Sequence, residues 1–480
     1  MQLIAPTDAM FLLSEGRERP MHVGGLQLFR PPSDAGPDYA SQLYRDALEH
    51  DVMPRLRRYP ERTMFGLGPW RWEEDEALDL EYHLRHSALP TPGRVRELLA
   101  LTSRLHGTLL DRSRPLWEAH IIEGLADGRF ALYTKIHHAL VDGVAAVKLL
   151  EHATSDDPDE RDMPPPFAPR TSRRSRGGRG DGDGGLIGAA RVARDTAVTA
   201  AHVTAESAKA ALGASRAAIR TVARSFREQA ATLPYRAPRS ILNAPISGAR
   251  RYAADAWPLE QLRSVGRELD GTVNDVVLAM CAGALRRYLI DLDALPAKPL
   301  VAMVPVSLRL RGGQDEDVDP ETDTSGNAVG LILCNLGTHL EDPADRFALI
   351  TRSMEEGKLT LEGLNELGVL VLSAISMSGV GLGILPFYDD VTLLQRPPFN
   401  VIISNVPGPK ERRYWNGAEM EGLYPVSIPF DGQALNITVE SYADRMGFGL
   451  IGCRRTVPHL QRLLEHLDTS LEELTDLANA

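Results

Sequence analysis

The chain has 480 residues, 43% of them hydrophobic and 25% charged, with a formal net charge of −12. That length exceeds one ordinary hydrophobic core and predicts two domains, while the acidic balance argues against a nucleic-acid partner, which requires a basic footprint. Cys281, Cys334 and Cys453 are widely spaced and form no CxxC pair, which argues against zinc or a disulfide framework and fits a reducing cytosol.

The N-terminus, Met1 to Pro6, lacks the basic stretch and long apolar run of a secretory signal, so a cytoplasmic protein is expected. Residues 1–153 alternate strand-like and helix-like patterns. Val23–Phe29 and Phe130–Ile136 read as strands from their β-branched and aromatic content. Val95–Leu110 places Leu98, Leu99, Leu101, Leu105 and Leu109 close to one helical face. Composition then shifts: residues 154–185 hold Pro164-Pro165-Pro166, five arginines from Arg170 to Arg179 and a Gly-Asp-rich run, the composition of a flexible linker. The alanine-rich, proline-free stretch Leu186–Ala231 predicts a connecting helix.

A second αβ pattern occupies 236–480. Leu259–Leu269 and Asn274–Leu289 read as helices; Leu300–Leu308, Ala328–Leu336, Phe399–Ser404, Ala434–Ser441 and Gly447–Gly452 read as strands. Leu367–Tyr388 carries no side chain of Asp, Glu, Lys or Arg and is long enough to span a bilayer. Four glycines and three serines dilute it, however, and a buried strand follows closely, so a buried or lipid-facing helix is expected there.

The chemistry-bearing motif is His137-His138-Ala139-Leu140-Val141-Asp142-Gly143. It follows a strand and precedes the apolar helical start Val144, Ala145, Val147, Leu149 and Leu150. A strand-to-helix junction delivers side chains from a rigid sheet into a cleft, and Gly143 permits a turn that a Cβ would oppose. A neutral imidazole can take the proton from an alcohol as its oxygen attacks a thioester, then return it to the leaving sulfur. Paired histidines could instead bind a metal, but no HExxH pattern or cysteine cluster completes such a site. A helix-capping aspartate beside structural histidines is the plainest alternative.

The motif is the HHxxxDG signature of the acyltransferases that include chloramphenicol acetyltransferase-like and condensation enzymes. Further stretches resemble the bacterial wax ester synthase/acyl-CoA:diacylglycerol acyltransferase family: Asp8-Ala9-Met10-Phe11, Pro20-Met21-His22-Val23-Gly24, Arg114-Pro115-Leu116-Trp117, Thr272-Val273-Asn274-Asp275 and Ser404-Asn405-Val406-Pro407-Gly408-Pro409. These landmarks span nearly the whole chain outside 154–235.

The resemblance implies an α/β fold of two chloramphenicol acetyltransferase-like domains with the active-site channel at their interface, and His138 as general base. His137 and Asp142 are implied as supporting residues, with Gly143, Asn274, Asp275, Ser404 and Asn405 as the substrate-binding set. For Asn274 and Asp275 an N-cap role is the structural alternative; for Ser404 and Asn405 it is a strand end and turn. Pro115-Leu116-Trp117 reads as packing, with Trp117 a large apolar wedge. The implied substrates are long-chain acyl-CoA, used as a co-substrate with no bound cofactor, and diacylglycerol or a fatty alcohol. Contact with the inner membrane face or lipid droplets would be peripheral. Competing expectations are another lipid or polyketide hydroxyl as acceptor, a condensation domain, and a weakly catalytic lipid-binding protein.

Overall fold

A computed structural model describes residues 2–62, 68–141, 143–169, 237–307, 329–362 and 397–480. The first half contains β1 (Gln2–Leu3), α1 (Pro6–Ser14), β2 (His22–Arg30), α2 (Tyr39–Leu48), β3 (Arg58–Arg62), β4 (Trp70–Glu74), α3 (Leu80–His83), β5 (Leu84–Ala88), α4 (Val95–His106), β6 (Trp117–Glu123), β7 (Phe130–His137) and α5 (Gly143–Ala153). The second contains β8 (Arg250–Pro258), α6 (Leu259–Glu268), α7 (Val273–Asp291), β9 (Val301–Ser307), β10 (Val329–Asn335), α8 (Pro343–Glu362), β11 (Val401–Val406), β12 (Tyr414–Trp415), β13 (Ala418–Val426), β14 (Leu435–Tyr442), β15 (Arg445–Cys453) and α9 (Arg462–Ala478).

Two six-stranded sheets organise most of these elements, in the orders β12-β13-β2-β7-β6-β5 and β10-β9-β11-β14-β15-β8, beside a three-stranded sheet in the order β1-β4-β3. Strand periodicity assigns their faces. In the first sheet, Phe29, Trp117, Ile121, Phe130 and Leu132 pack with Ala40, Leu43 and Ala47 of α2. The alternate residues Leu26, Leu28, Ile122, Ala131 and Tyr133 meet Tyr252 and Ile451 of the second half. In the second sheet, Val401, Ile403, Leu435, Ile437 and Val439 join the core built with α6, α7, α8 and α9. Ile402, Ser404, Asn436, Thr438 and Glu440 therefore line the opposite face, in register as Ile402↔Asn436, Ser404↔Thr438 and Val406↔Glu440.

The first sheet takes strands from the far end of the sequence. β13 pairs antiparallel with β2 from Glu419↔Arg30 to Val426↔Gly24, and β12 lies outside it. On this path β13 crosses β15 where side chains are missing. A Cβ on Gly449 would sit 1.8 Å from the Pro425 carbonyl oxygen, and one on Gly447 2.2 Å from that of Leu423. A division into 1–153 and 236–480 thus leaves residues 414–426 hydrogen-bonded into the sheet of the other half.

The stretch read as the start of a flexible linker also differs. Ser155 bridges to Tyr414, Met163 N–H donates to Asn416 Oδ1 at 2.7 Å, and Met163, Phe167 and Ala168 are buried. Prolines 164–166 did not prevent core formation, because this segment packs its few apolar side chains without needing regular secondary structure. Residues 170–185, the alanine-rich 186–231 stretch and the charge-free 367–388 stretch lie outside the described residues.

Candidate active site

The inner face of the first sheet is polar at the end from which His138 emerges. His22 pairs with His137 across β2 and β7, and its Nε2 lies 2.8 Å from the His106 carbonyl oxygen, to which it donates. Lys135 is fully buried. Its ammonium donates to Leu105 O at 3.2 Å and Thr108 O at 3.1 Å and pairs with Glu118 Oε2 at 3.1 Å. Three donors thus meet three acceptors, two of them carbonyls at the C-terminal end of α4, where a cation is favoured. Glu118 also approaches His120 and Arg85, both at 3.4 Å. Burial opposes its ionisation, but His120, Lys135 and Arg85 outweigh it and hold the carboxylate at a pKa of about 2.

Beyond β7 the two motif histidines take different environments. His137 is buried; its Nδ1 accepts the Ala139 N–H at 3.1 Å, and its Nε2 lies 3.5 Å from Glu15 Oε1. An accepting Nδ1 assigns the ring proton to Nε2, facing the carboxylate. Glu15 is in turn fixed by Arg112 Nε, which donates to Oε2 at 2.9 Å, and by Met21 N–H, which donates to Oε1 at 3.2 Å. Arg112 also donates to Leu12 O at 2.6 Å, tying down the end of α1. Burial opposes ionisation of Glu15, yet His137 and Arg112 together hold its pKa below the ordinary 4.5.

His138 is half-buried. Its backbone N–H donates to Met21 O at 2.9 Å, so the Met21 peptide joins Glu15 to the His138 backbone. Its ring stacks on Phe11 of α1, with centroids 4.1 Å apart and planes 10° from parallel. Leu140 N–H closes the turn on His137 O at 2.9 Å before α5 begins at Gly143. Asp142 lies outside the described residues.

The second-half landmarks gather around the start of α7. Thr272, rather than Asn274 or Asp275, is the N-cap: Thr272 Oγ1 accepts Asp275 N–H at 3.3 Å, and Asp275 Oδ2 accepts Thr272 N–H at 2.8 Å. Asp275 is buried, 3% exposed, as the third residue of this reciprocal cap. Asn405 Nδ2 donates to Asn274 Oδ1 at 3.4 Å, so two stretches far apart in sequence meet. Ser404, one residue earlier on β11, points to the opposite face beside Thr438. Trp117 is the buried wedge expected, donating from Nε1 to Leu56 O at 2.7 Å and stacking on His83.

Sequence reasoning missed Glu15 and Arg112. The signal was available in the flanking landmarks: Asp8–Phe11 and Pro20–Gly24 bracket Glu15, and both pack on the histidine motif. Glu15→Gln should lower stability by about 1–3 kcal/mol, the usual loss for a hydrogen bond to a charged group. Because its pKa is depressed, this contribution is present above pH 4.5 and fades as the pH falls below it. Urea midpoints of both proteins from pH 7 to pH 3 check this; curves that stay parallel throughout would remove Glu15 from the network.

Comparison with known proteins decides the family. The profile of the wax ester synthase/diacylglycerol acyltransferase catalytic domain matches residues 4–277, and that of the WS/DGAT C-terminal domain matches 325–475. The chain belongs to the wax ester synthase/diacylglycerol acyltransferase family. It is 47% identical over 481 residues to a protein of Mycobacterium tuberculosis described as a probable diacylglycerol O-acyltransferase, covering 99% of each chain. It is 40% identical to an O-acyltransferase WSD of Acinetobacter baylyi over 98% of this chain and 96% of that one. The structure of a wax ester synthase/diacylglycerol acyltransferase from Marinobacter aquaeolei matches with a TM-score of 0.76 at 40% identity, over the whole of both chains. A condensation domain of rhizomide synthetase shares the fold, with a TM-score of 0.55 at 12% identity.

Membership makes the protein an O-acyltransferase with the two-domain α/β fold expected. Among the described residues, no helix is long and apolar enough to cross a membrane, and no group of three or more His, Cys, Asp or Glu side chains is placed to hold a metal ion.

Proposed function

We propose that this acyltransferase moves a long-chain acyl group from acyl-CoA to the hydroxyl of diacylglycerol or a fatty alcohol, with His138 as general base. The observation that carries this reading is the contrast between the histidines. His137 is fully buried, with Nδ1 accepting a backbone N–H and Nε2 against Glu15, whereas His138 is the half-buried one of the pair, its ring stacked on Phe11.

In the proposed step His138 removes the hydroxyl proton as the oxygen attacks the thioester carbonyl. The C–S bond breaks, and the imidazolium returns the proton to the departing thiolate. Donor and acceptor meet at one base, so neither a covalent acyl-enzyme nor a bound cofactor is needed beyond acyl-CoA itself. Phe11 stacked on the ring restricts its rotation, and His137, Glu15 and Arg112 support the turn. Asp142 is assigned to the same supporting role. Gly143, Asn274, Asp275, Ser404 and Asn405 are assigned to shaping the substrate path. The test is thiol release from palmitoyl-CoA with diolein or hexadecanol; release no faster with acceptor than without would overturn the reading.

A lipid acceptor also favours peripheral contact with a membrane or droplet surface from the cytoplasmic side. The support is α1, which lays Phe11 on His138 while Met10 and Leu13 are each 48% exposed and nearby Leu3 is 67% exposed. Replacing Met10 and Leu13 together by Asp should reduce co-sedimentation with phosphatidylcholine vesicles by about tenfold, given a gain of ~25 cal/mol per Å² of apolar surface buried. Unchanged co-sedimentation would exclude α1 as the contact.

A further inference from the structure

The face of the second sheet turned toward β13 carries a row of polar side chains that the proposed proton transfer does not use. Asn436 and Thr438 are satisfied within the row: Thr438 Oγ1 donates to Asn436 Oδ1 at 3.0 Å, and Asn436 Nδ2 donates to Ile428 O at 3.1 Å. Glu440, next along β14, differs. It is 5% exposed, and its Oε1 has no hydrogen-bond partner among the described residues. A buried oxygen left unpaired costs free energy, and in native proteins such an atom has a reason.

The surroundings favour a neutral carboxyl. Gly408, in the turn after β11, brings bare backbone against it: a Cβ there would stand 3.2 Å from Glu440 Oε1 and 2.2 Å from Ser441 O. Glu151 presents its negative charge from α5, and Tyr252 faces it from β8 with its hydroxyl already given to Pro425 O at 3.0 Å. The nearby Arg413 donates to the Glu151 carbonyl oxygen at 3.4 Å. β15 contributes only Gly447 opposite Glu440. Burial, with the Glu151 charge adding to it, pushes the carboxyl pKa up to about 8, so the proton is held at neutral pH.

We propose that Glu440 contacts the substrate, donating a hydrogen bond from its carboxyl to an ester carbonyl of a glyceride acceptor. This rests on the acyl-transfer reading above. A neutral donor in a dry setting suits an uncharged carbonyl oxygen better than the phosphates of coenzyme A, which retain water and counter-charges. A fatty alcohol has one oxygen, needed at His138. Diacylglycerol has ester carbonyls to spare. Glu440 then sets acceptor preference, and α5 links it to the histidine motif through Glu151.

The test compares the wild-type chain, Glu440→Gln and Glu440→Leu, with palmitoyl-CoA as donor and thiol release as readout. Glu440→Leu should lower kcat/KM for diolein by about tenfold, mainly through KM, and that for hexadecanol by less than about twofold. Glu440→Gln, which keeps a donor, should stay within about threefold of wild type for diolein. Wild-type activity on diolein should fall as the pH rises past about 8, and that fall should be absent in Glu440→Gln. Equal losses on both acceptors, or an alkaline fall shared by wild type and Glu440→Gln, would overturn the proposal. If Glu440→Leu fails to fold, as read by its thermal midpoint, the Glu440→Gln pH profile decides alone. No thiol release by wild type with either acceptor would instead overturn the acyl-transfer reading, and this proposal with it.

Discussion

His138→Ala should lower kcat/KM for acyl transfer by about a hundred- to ten-thousand-fold, the range expected on losing a general base. Stability should change by about 0.5–3 kcal/mol, the ordinary range for one substitution, at a half-buried ring that stacks on Phe11. The backbone bond from His138 N–H to Met21 O survives the substitution. The control is His137→Ala, which empties a buried site and strips Glu15 of a facing ring. It should unfold at lower urea and lose activity in proportion to that instability. The two variants separate base from support through paired measurements of thiol release and urea midpoint. An active His138→Ala enzyme would reassign the proton transfer.

Lys135→Met should be the most destabilising single change near the motif, costing about 3–5 kcal/mol. The loss has little to do with attraction between Lys135 and Glu118 as a favourable pair. Removing the ammonium leaves Glu118 buried with only His120 and the partly exposed Arg85, and leaves the carbonyls of Leu105 and Thr108 without their donor. Adding Glu118→Leu to Lys135→Met should recover part of the loss, since no unpaired charge then remains. Glu118 is held at a pKa of about 2, below its ordinary 4.5. Its contribution is therefore intact above the ordinary value and fades as the pH drops toward the folded one. Wild type and Lys135→Met should accordingly converge in acid. Urea melts at pH 7 and pH 3 measure all of this; a Lys135→Met midpoint equal to wild type would show the ammonium to be dispensable.

Much of this was legible in the sequence where one local pattern controls one local structure. The predicted strand Phe130–Ile136 became Phe130–His137, and the predicted helix Asn274–Leu289 became Val273–Asp291. The histidine motif announced a strand-to-helix junction, and that is where it sits. What stayed hidden depends on meetings between distant residues. Glu15 follows a short helix with no motif of its own, and its importance appears only once Arg112 and His137 arrive beside it. Asn274 and Asn405 lie in separate landmarks, and nothing in their spacing reveals their hydrogen bond. Glu440 reads as one more acidic residue until strand parity turns it inward. The path of β13 is hidden for the same reason: alternation predicts a strand but not which edge will receive it.

That path has a consequence for how the chain comes into being. β2 is made within the first 30 residues, yet the neighbour that covers its open edge is not synthesised until residues 418–426. Until then the ribosome-bound chain carries a β2–β7 pair with one bare flank, an invitation to pair with other nascent chains. The first half cannot finish folding ahead of the second, however early its own core collapses. Contacts spanning nearly 400 residues make closure slow. Once β13 is threaded across Gly447 and Gly449, neither half can be released without first undoing the other. The molecule should accordingly melt as one cooperative unit, its two six-stranded sheets sharing a single transition.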